Sequence, residues 1–432
     1  MSSTLYASVI TFDITPPVGT AMEGYSARSD VSQGVHDSLY GQALLLALDD
    51  RKVLVMTLDQ LGVPLSFTHD ARQAIYGRTG IPHEHILIAC SHTHSGPAGI
   101  LSDVPGLHTE PDPTLQDILQ RKIAGAAAEA QSTLQPASLG ISRGHVTGLG
   151  ANRNNPLKGP QDTEVFLLQV ADAHGHPLAV LMNYGCHPTI LGHENLRFSA
   201  DFPGAARRAL NAIYPHSTFL FTNGASGDIS TRFTRQGQDF QEVERSGRIL
   251  AGEVLRSMQF IKPLPVTSIG GVIQKVTLPF RTFPTEEEAR QSIAERTREL
   301  KELEEKGAPH GEIRKAFTRL QGAQGQAMLQ SALAGRGSVE TELQLLFVGE
   351  AALIGMPGEP FTRIVLDLKE QSPFPHTAVV SYANDEVGYF PDSVSFETST
   401  YEALISPYQE TIAAALTDHA TQLLERVHHA ER

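Results

Sequence analysis

Ile86-Leu87-Ile88-Ala89-Cys90-Ser91-His92-Thr93-His94-Ser95-Gly96-Pro97-Ala98-Gly99 is the stretch whose reading decides the fold class. Residues 86–89 are few, branched and apolar, the composition of a buried strand, and Ser95-Gly96-Pro97 can only be a loop. Two histidines therefore stand where a strand stops. If strand alternation persists through them, residues two apart point the same way, and His92 and His94 face one pocket.

The same design repeats outward from this stretch. An apolar run at 178–182 ends in Asn183-Tyr184-Gly185-Cys186-His187-Pro188, and another at 218–222 ends in Asn223-Gly224-Ala225-Ser226-Gly227-Asp228-Ile229-Ser230. Two strands at 342–348 and 351–356, turning at Gly349-Glu350, run into Pro357-Gly358-Glu359-Pro360. A strand at 376–382 leads to Asn384-Asp385-Glu386 and then Tyr389. Earlier, an apolar segment at 8–14 precedes a hairpin of 42–48 and 52–58 over Asp49-Asp50. Helical patterns cover 67–76, 113–132, 201–214 and 241–257. Strands at 139–146 and 163–172 flank a polar loop, 150–162, that holds Arg153 and is long for a mere connection.

This alternation predicts an α/β fold, mixed β-sheets flanked by helices, in a single large domain over 1–432. The stretch 284–335 differs. It is dense in Glu, Arg, Lys, Gln and Ala around Gly307-Ala308-Pro309-His310-Gly311, which predicts two charged helices forming a solvated hairpin inserted into the domain. His419, His428 and His429 fall on a C-terminal surface helix and are assigned no chemistry.

Composition narrows the function. With 41% hydrophobic residues over 432 positions the chain can bury a sizeable core, and its net charge of −14 excludes a nucleic-acid surface and electrostatic docking on anionic lipid. No run approaches the roughly 18 apolar residues a membrane helix needs, so stable membrane insertion is not expected. Met1-Ser2-Ser3-Thr4 opens without a signal pattern, which predicts a cytoplasmic protein. Cys90 and Cys186, the only cysteines, sit beside histidines in apolar runs and read as small buried thiols. A homo-oligomer is compatible with all of this.

In α/β domains ligands bind beyond the carboxyl ends of strands, so the ends carrying His92 and His94, His187, Ser230, Glu359 and Tyr389 are expected to form one site. Two imidazoles and a carboxylate are the ligand set of a catalytic zinc with an open position. Glu359 is boxed by Pro357, Gly358 and Pro360, which fixes its backbone, whereas most of the 48 acidic residues lie in helical or loop surroundings.

The strings SHTHSGPAG, NYGCHPTIL, FSADFPG, NGASGDIS and MPGEP, the opening ITPPVG and GVHD, and the late Tyr389 to Tyr401-Glu402-Ala403 pattern resemble the catalytic domain of neutral ceramidases, zinc amidases that cleave the N-acyl bond of ceramide. The motifs occur in the same order and span most of the chain outside the helical insertion. The resemblance implies that His92, His187, Glu359 and Tyr389 hold Zn2+, and that His94, Arg153, Ser230 and Tyr401 serve substrate and catalysis. It covers the catalytic domain alone: only about 30 residues follow Tyr401, and the immunoglobulin-like sandwich that accompanies ceramidases needs about 100.

The expected activity is zinc-dependent hydrolysis of an amide bond in a soluble N-acyl substrate by a metal-activated water. His94 would move the protons, Arg153 or Tyr401 would stabilise the oxyanion, and Ser230 would position the substrate or act as the nucleophile. The family's usual proline after the motif serine is Thr231 here, followed by Arg232, and the segment between Tyr389 and Tyr401 is unlike the usual acid-rich one. With no Trp and no apolar helix to enter a bilayer, these departures favour a soluble substrate over ceramide, which is the second reading. Metallo-phosphoesterase and non-catalytic metal-binding readings stand further off. The first wants two metals and more clustered carboxylates, and the second leaves His94, Arg153, Ser230 and Tyr401 without a shared purpose.

Overall fold

The computed structural model describes residues 4–101 and 110–431; Met1 to Ser3, part of the stretch read for a signal, lie outside them. Strands that are apolar along their whole length need cover on both faces, and the chain provides it in four layers, helices, sheet, sheet, helices. The larger sheet runs in the order Thr218–Asn223, Pro177–Tyr184, Glu164–Asp172, Gln135–His145, Leu5–Asp13, Tyr40–Leu48, Arg51–Leu58 and Ile86–Cys90, with Lys262–Leu264 added beside Gln135–His145. It is antiparallel through its centre and parallel at each end, where Thr218–Asn223 lies beside Pro177–Tyr184 and Ile86–Cys90 beside Arg51–Leu58. The second sheet is ordered Ile269–Pro279, Ser338–Val348, Ala351–Gly355, His376–Val380.

Side-chain alternation assigns each strand's residues to two different cores. Leu44, Leu46 and Leu48 meet Leu346, Val348, Leu353 and Val380 between the sheets. Their neighbours Ala43 and Leu45 point the other way, onto the helices Leu65–Thr79 and Pro113–Ser132 through Phe67, Ala71, Ile75, Ile123 and Ala127. Val180 and Met182 pack on Asp201–Asn211 and Phe240–Met258. On the second sheet Leu345, Phe347 and Ile354 pack on Thr362–Gln371 and Ile412–Ala430. Each buried leucine is worth about 1.5–3 kcal/mol, so two-faced burial explains why these strands carry almost no polar residues.

The α/β class and mixed sheets are as the sequence predicts, and the insertion does form two helices, Glu286–Glu305 and His310–Ala332, the first opened by a Thr285/Glu288 capping box. Two readings change. Ile269–Pro279 is an eleven-residue strand that sequence patterning does not announce, because Gly270-Gly271 interrupts it. The C-terminal helix is not merely a surface helix: it buries Leu416, Leu423 and Leu424 against the second sheet, leaving His429 on its outer side. Cys90 and Cys186 are buried free thiols. Among the described residues no helix is long and apolar enough to cross a membrane.

The site is placed by a closure between the sheets. Asn223 Nδ2, at the end of one edge strand of the larger sheet, donates to the Ser91 carbonyl beyond the other edge strand, at 3.2 Å. The continuation of His376–Val380 threads this gap. Ser381 N donates to Asn223 O (2.8 Å), Cys90 N to Tyr382 O (3.1 Å) and Asn384 N to Ile88 O (2.7 Å). Both edges and the second sheet therefore deliver their strand ends to one place.

Candidate functional site

Three imidazoles form one wall. The donor nitrogens of His92, His94 and His187 all lie within 4.8 Å of one another, and the ring centroids of His92 are 4.9 and 5.0 Å from those of His94 and His187. The convergence expected for His92 and His94 is real, but strand alternation is not its cause. The strand stops at Cys90, and His92 takes a left-handed backbone, φ 66°, that turns its ring inward. This conformation is costly for a residue with a side chain. It is held by His92 N donating to Gln60 O and by Nδ1 meeting Leu61 O at 2.7 Å. His187 is held alike, with Nδ1 2.6 Å from Ser226 O. Donation from Nδ1 fixes the tautomer and leaves Nε2 a free base in both rings. Gly24 leaves room for His94, since a Cβ there would lie 2.7 Å from its ring. Burial, before any neighbouring charge, pushes all three imidazoles well below their usual pKa and keeps them neutral.

A carboxylate and phenols form the facing wall. Glu359-Pro360 and Tyr389-Phe390 pair as a minimal parallel ladder in which Glu359 stands opposite Tyr389. Gly358 makes this contact possible, because at its φ of 141° a Cβ would sit 2.5 Å from Gly388 O. Glu359 Oε2 lies 2.9 Å from His187 Nε2 and 3.7 Å from His92 Nε2, and Tyr389 Oη is 3.5 Å from His187 Nε2. Burial raises the Glu359 carboxyl pKa, opposed by His92 and Arg153. His92 Nε2 and both ring nitrogens of His94 are buried without a hydrogen-bond partner among the described residues. Orphaned imidazole nitrogens beside a buried carboxylate fit a divalent metal held among His92, His94, His187 and Glu359, with Tyr389 adjacent.

The expected substrate residues surround this centre. Ser230 bridges to His187 in a parallel pair, and its two-residue strand, Ile229–Ser230, lies antiparallel to Ala151–Asn152. Ser230 Oγ accepts from Arg232 N, and among the described residues no imidazole is its hydrogen-bond partner. Arg153 is largely buried, its side chain 10% exposed; it donates to Gly227 O at 2.6 Å and places its guanidinium 5.4 Å from the centre of the Tyr389 ring. Burial opposes its charge, yet Glu402 and Tyr389 outweigh that and raise its pKa. Tyr401 opens the short helix Tyr401–Ile405; burial raises its phenol, with Arg153, Glu402 and Glu359 all near enough to act on it.

Three participants escaped the sequence reading. Tyr382 stacks on His92 at 3.8 Å and 10°, and its hydroxyl donates to Glu359 Oε2 at 3.3 Å while bonding Ser226 Oγ at 2.5 Å. Its left-handed φ of 54° throws it out of strand register, so apolar patterning hid it. Asp228 accepts from Thr362 N and Oγ1, both at 2.8 Å, and from Asn152 Nδ2 at 2.7 Å, pinning the Ser230 loop; burial lifts its carboxyl to about 6. Glu402 lies 2.6 Å from Arg153 Nε. Charged residues at helix starts are too common to single it out from sequence.

A family model described as neutral/alkaline non-lysosomal ceramidase, N-terminal, matches residues 8–232. The chain belongs to this family. Curated relatives include neutral ceramidase 2 of Arabidopsis thaliana, 26% identical over 253 residues, covering 54% of this chain and 32% of the relative. Neutral ceramidase of Pseudomonas aeruginosa is 26% identical over 208 residues, covering 43% and 30%. The matched segments thus span about a third of the curated relatives' length. The crystal structure of the Pseudomonas aeruginosa neutral ceramidase superposes with a TM-score of 0.76 at 17% identity, over 99% of this chain and 75% of that one. The ceramidase fold therefore extends through the second sheet, beyond the matched residues 8–232. His92, His94, Arg153, His187 and Ser230 lie inside the family match, whereas Glu359, Tyr389 and Tyr401 lie after it and are brought to the site by the fold.

Proposed function

We propose that this ceramidase-family chain is a zinc-dependent hydrolase of N-acyl amide bonds, acting on a soluble substrate through an activated water. The observation that carries it is the meeting of His92, His187 and Glu359, each imidazole oriented by a backbone carbonyl, with His94 beside them. His92, His187, Glu359 and Tyr389 would hold the ion. Bound zinc supplies Lewis acidity and acidifies water at neutral pH.

The chain's own groups then divide the work. His94, neutral because it is buried, accepts the proton of the attacking water and passes it to the leaving amine nitrogen. Arg153, a permanent cation among buried groups, faces the charge that develops on the carbonyl oxygen, assisted by the Tyr401 hydroxyl. Ser230 orients a polar group of the substrate, a role favoured over nucleophile because no imidazole among the described residues bonds its hydroxyl.

Ceramide is the second reading, supported by the names of the relatives. Elemental analysis of purified protein, with a panel of short-chain N-acyl amides and a soluble ceramide analogue, tests both. About one zinc per chain and chelator-sensitive cleavage of small amides are expected. Cleavage of the ceramide analogue alone would replace the first reading with the second, and a metal-free protein with no turnover would end both.

A further inference from the structure

The helical hairpin does more than cover surface. Helix His310–Ala332 packs on the short helix Tyr401–Ile405 at two glycines one turn apart. A Cβ at Gly322 would lie 2.6 Å from Leu404 Cδ1 and 3.1 Å from its Cβ, and one at Gly325 would lie 2.6 Å from Ile405 Cγ2. Arg281, on the chain leading into the hairpin, holds the other side: its N donates to Pro407 O at 2.9 Å and its Nη2 to Leu404 O. A five-residue helix has too few internal hydrogen bonds to fix its own position, so its neighbours set it.

What this helix carries is Glu402, 2% exposed, with Oε1 2.6 Å from Arg153 Nε and Oε2 accepting from Asn154 Nδ2 at 3.0 Å. Arg153 in turn lies over the Tyr389 ring. We infer that Glu402 is a positioning residue that aims the Arg153 guanidinium at the reaction centre, and that the 286–332 hairpin holds Glu402 in register. The inference rests on the amide-hydrolase reading for its kinetic test. Its structural test needs only that the site binds a metal, not that it turns over an amide.

Glu402→Gln keeps the side chain's size and removes the charge that orients Arg153. We expect kcat on a short-chain N-acyl amide to fall about tenfold to a hundredfold with KM within about twofold and zinc content unchanged, the scale set by misplacing a catalytic group by about an ångström. In an Arg153→Gln background the same change should cost less than about twofold, because the two groups act as one. Unchanged kcat, or equal losses in the two backgrounds, would overturn the inference. Gly325→Ala serves where Glu402→Gln does not fold: alanine favours its own helix while its Cβ would press on Ile405 Cγ2 and displace Tyr401–Ile405, so a several-fold loss of kcat with the melting temperature unchanged supports the hairpin's role, and full activity removes it. The cobalt-substituted protein gives an independent readout. Glu402→Gln should bind cobalt at wild-type stoichiometry with altered visible absorption, read through Tyr389, and an identical spectrum would sink the inference. Wild-type protein without amide turnover would overturn the functional reading alone, leaving the cobalt spectrum to decide this one.

Discussion

The two walls of the site are built on different principles. The imidazole wall hangs from the larger sheet, and each oriented ring is fixed by a main-chain carbonyl, Leu61 for His92 and Ser226 for His187. The opposite wall comes mainly from the second sheet and the loops after it, joined by Arg153 from the 150–162 loop, and contacts between side chains predominate there. Tyr382 holds Glu359, and Glu402 holds Arg153. A carbonyl anchor survives most substitutions, whereas a side-chain anchor fails when its partner changes. The imidazole wall should therefore tolerate mutation around it, and the carboxylate wall should transmit it.

The sharpest break of that comparison is at Glu359. Glu359→Ala should lose zinc and turnover together, with metal affinity down on the order of a hundredfold or more, since even outer partners of metal ligands cost 10–100-fold. Elemental analysis after dialysis measures it, and retained zinc would remove Glu359 from the ligand set. His94→Ala should separate the two properties. Zinc stays while kcat falls about 10²- to 10⁴-fold, the usual contribution of a general acid–base group; loss of zinc would make His94 a ligand.

Tyr382→Phe tests the side-chain anchoring itself. Losing one hydroxyl should cost about tenfold in metal affinity by freeing Glu359, within the range for outer partners. No change in a competition titration with a chelator would show that Glu359 is held without it. The smallest effect concerns pH. Burial lowers the His94 pKa, so the neutral base persists below the usual imidazole value of about 6.5 and is lost as pH falls through the depressed pKa. The acid limb of the kcat profile should accordingly lie below about pH 6.5, and His94→Ala should abolish it. A limb above that value would mean that another group titrates.

Much of this was legible beforehand. Strand ends could be read because two-faced burial makes strands uniformly apolar, so His92, His187, Ser230 and Glu359 stood out among the polar groups that follow each run. Tyr382 could not be read: it continues an apolar strand and departs from it only through a left-handed backbone set by bonds to both edge strands. Glu402 was hidden for a different reason, since one glutamate among many acquires meaning only when Arg153, 249 residues earlier, is brought 2.6 Å away. The hairpin was legible as two helices, and its packing on Tyr401–Ile405 was not.

The sequence by itself determined the α/β class, most of the strand and helix order, and the candidate metal-binding residues, because hydrophobic period and residue chemistry are local properties. Tertiary structure alone decided that these residues share one site and how each is aimed. That rests on the continuation of His376–Val380 threading between two distant sheet edges, a closure made by main-chain hydrogen bonds together with the Asn223 side chain, which no local pattern records.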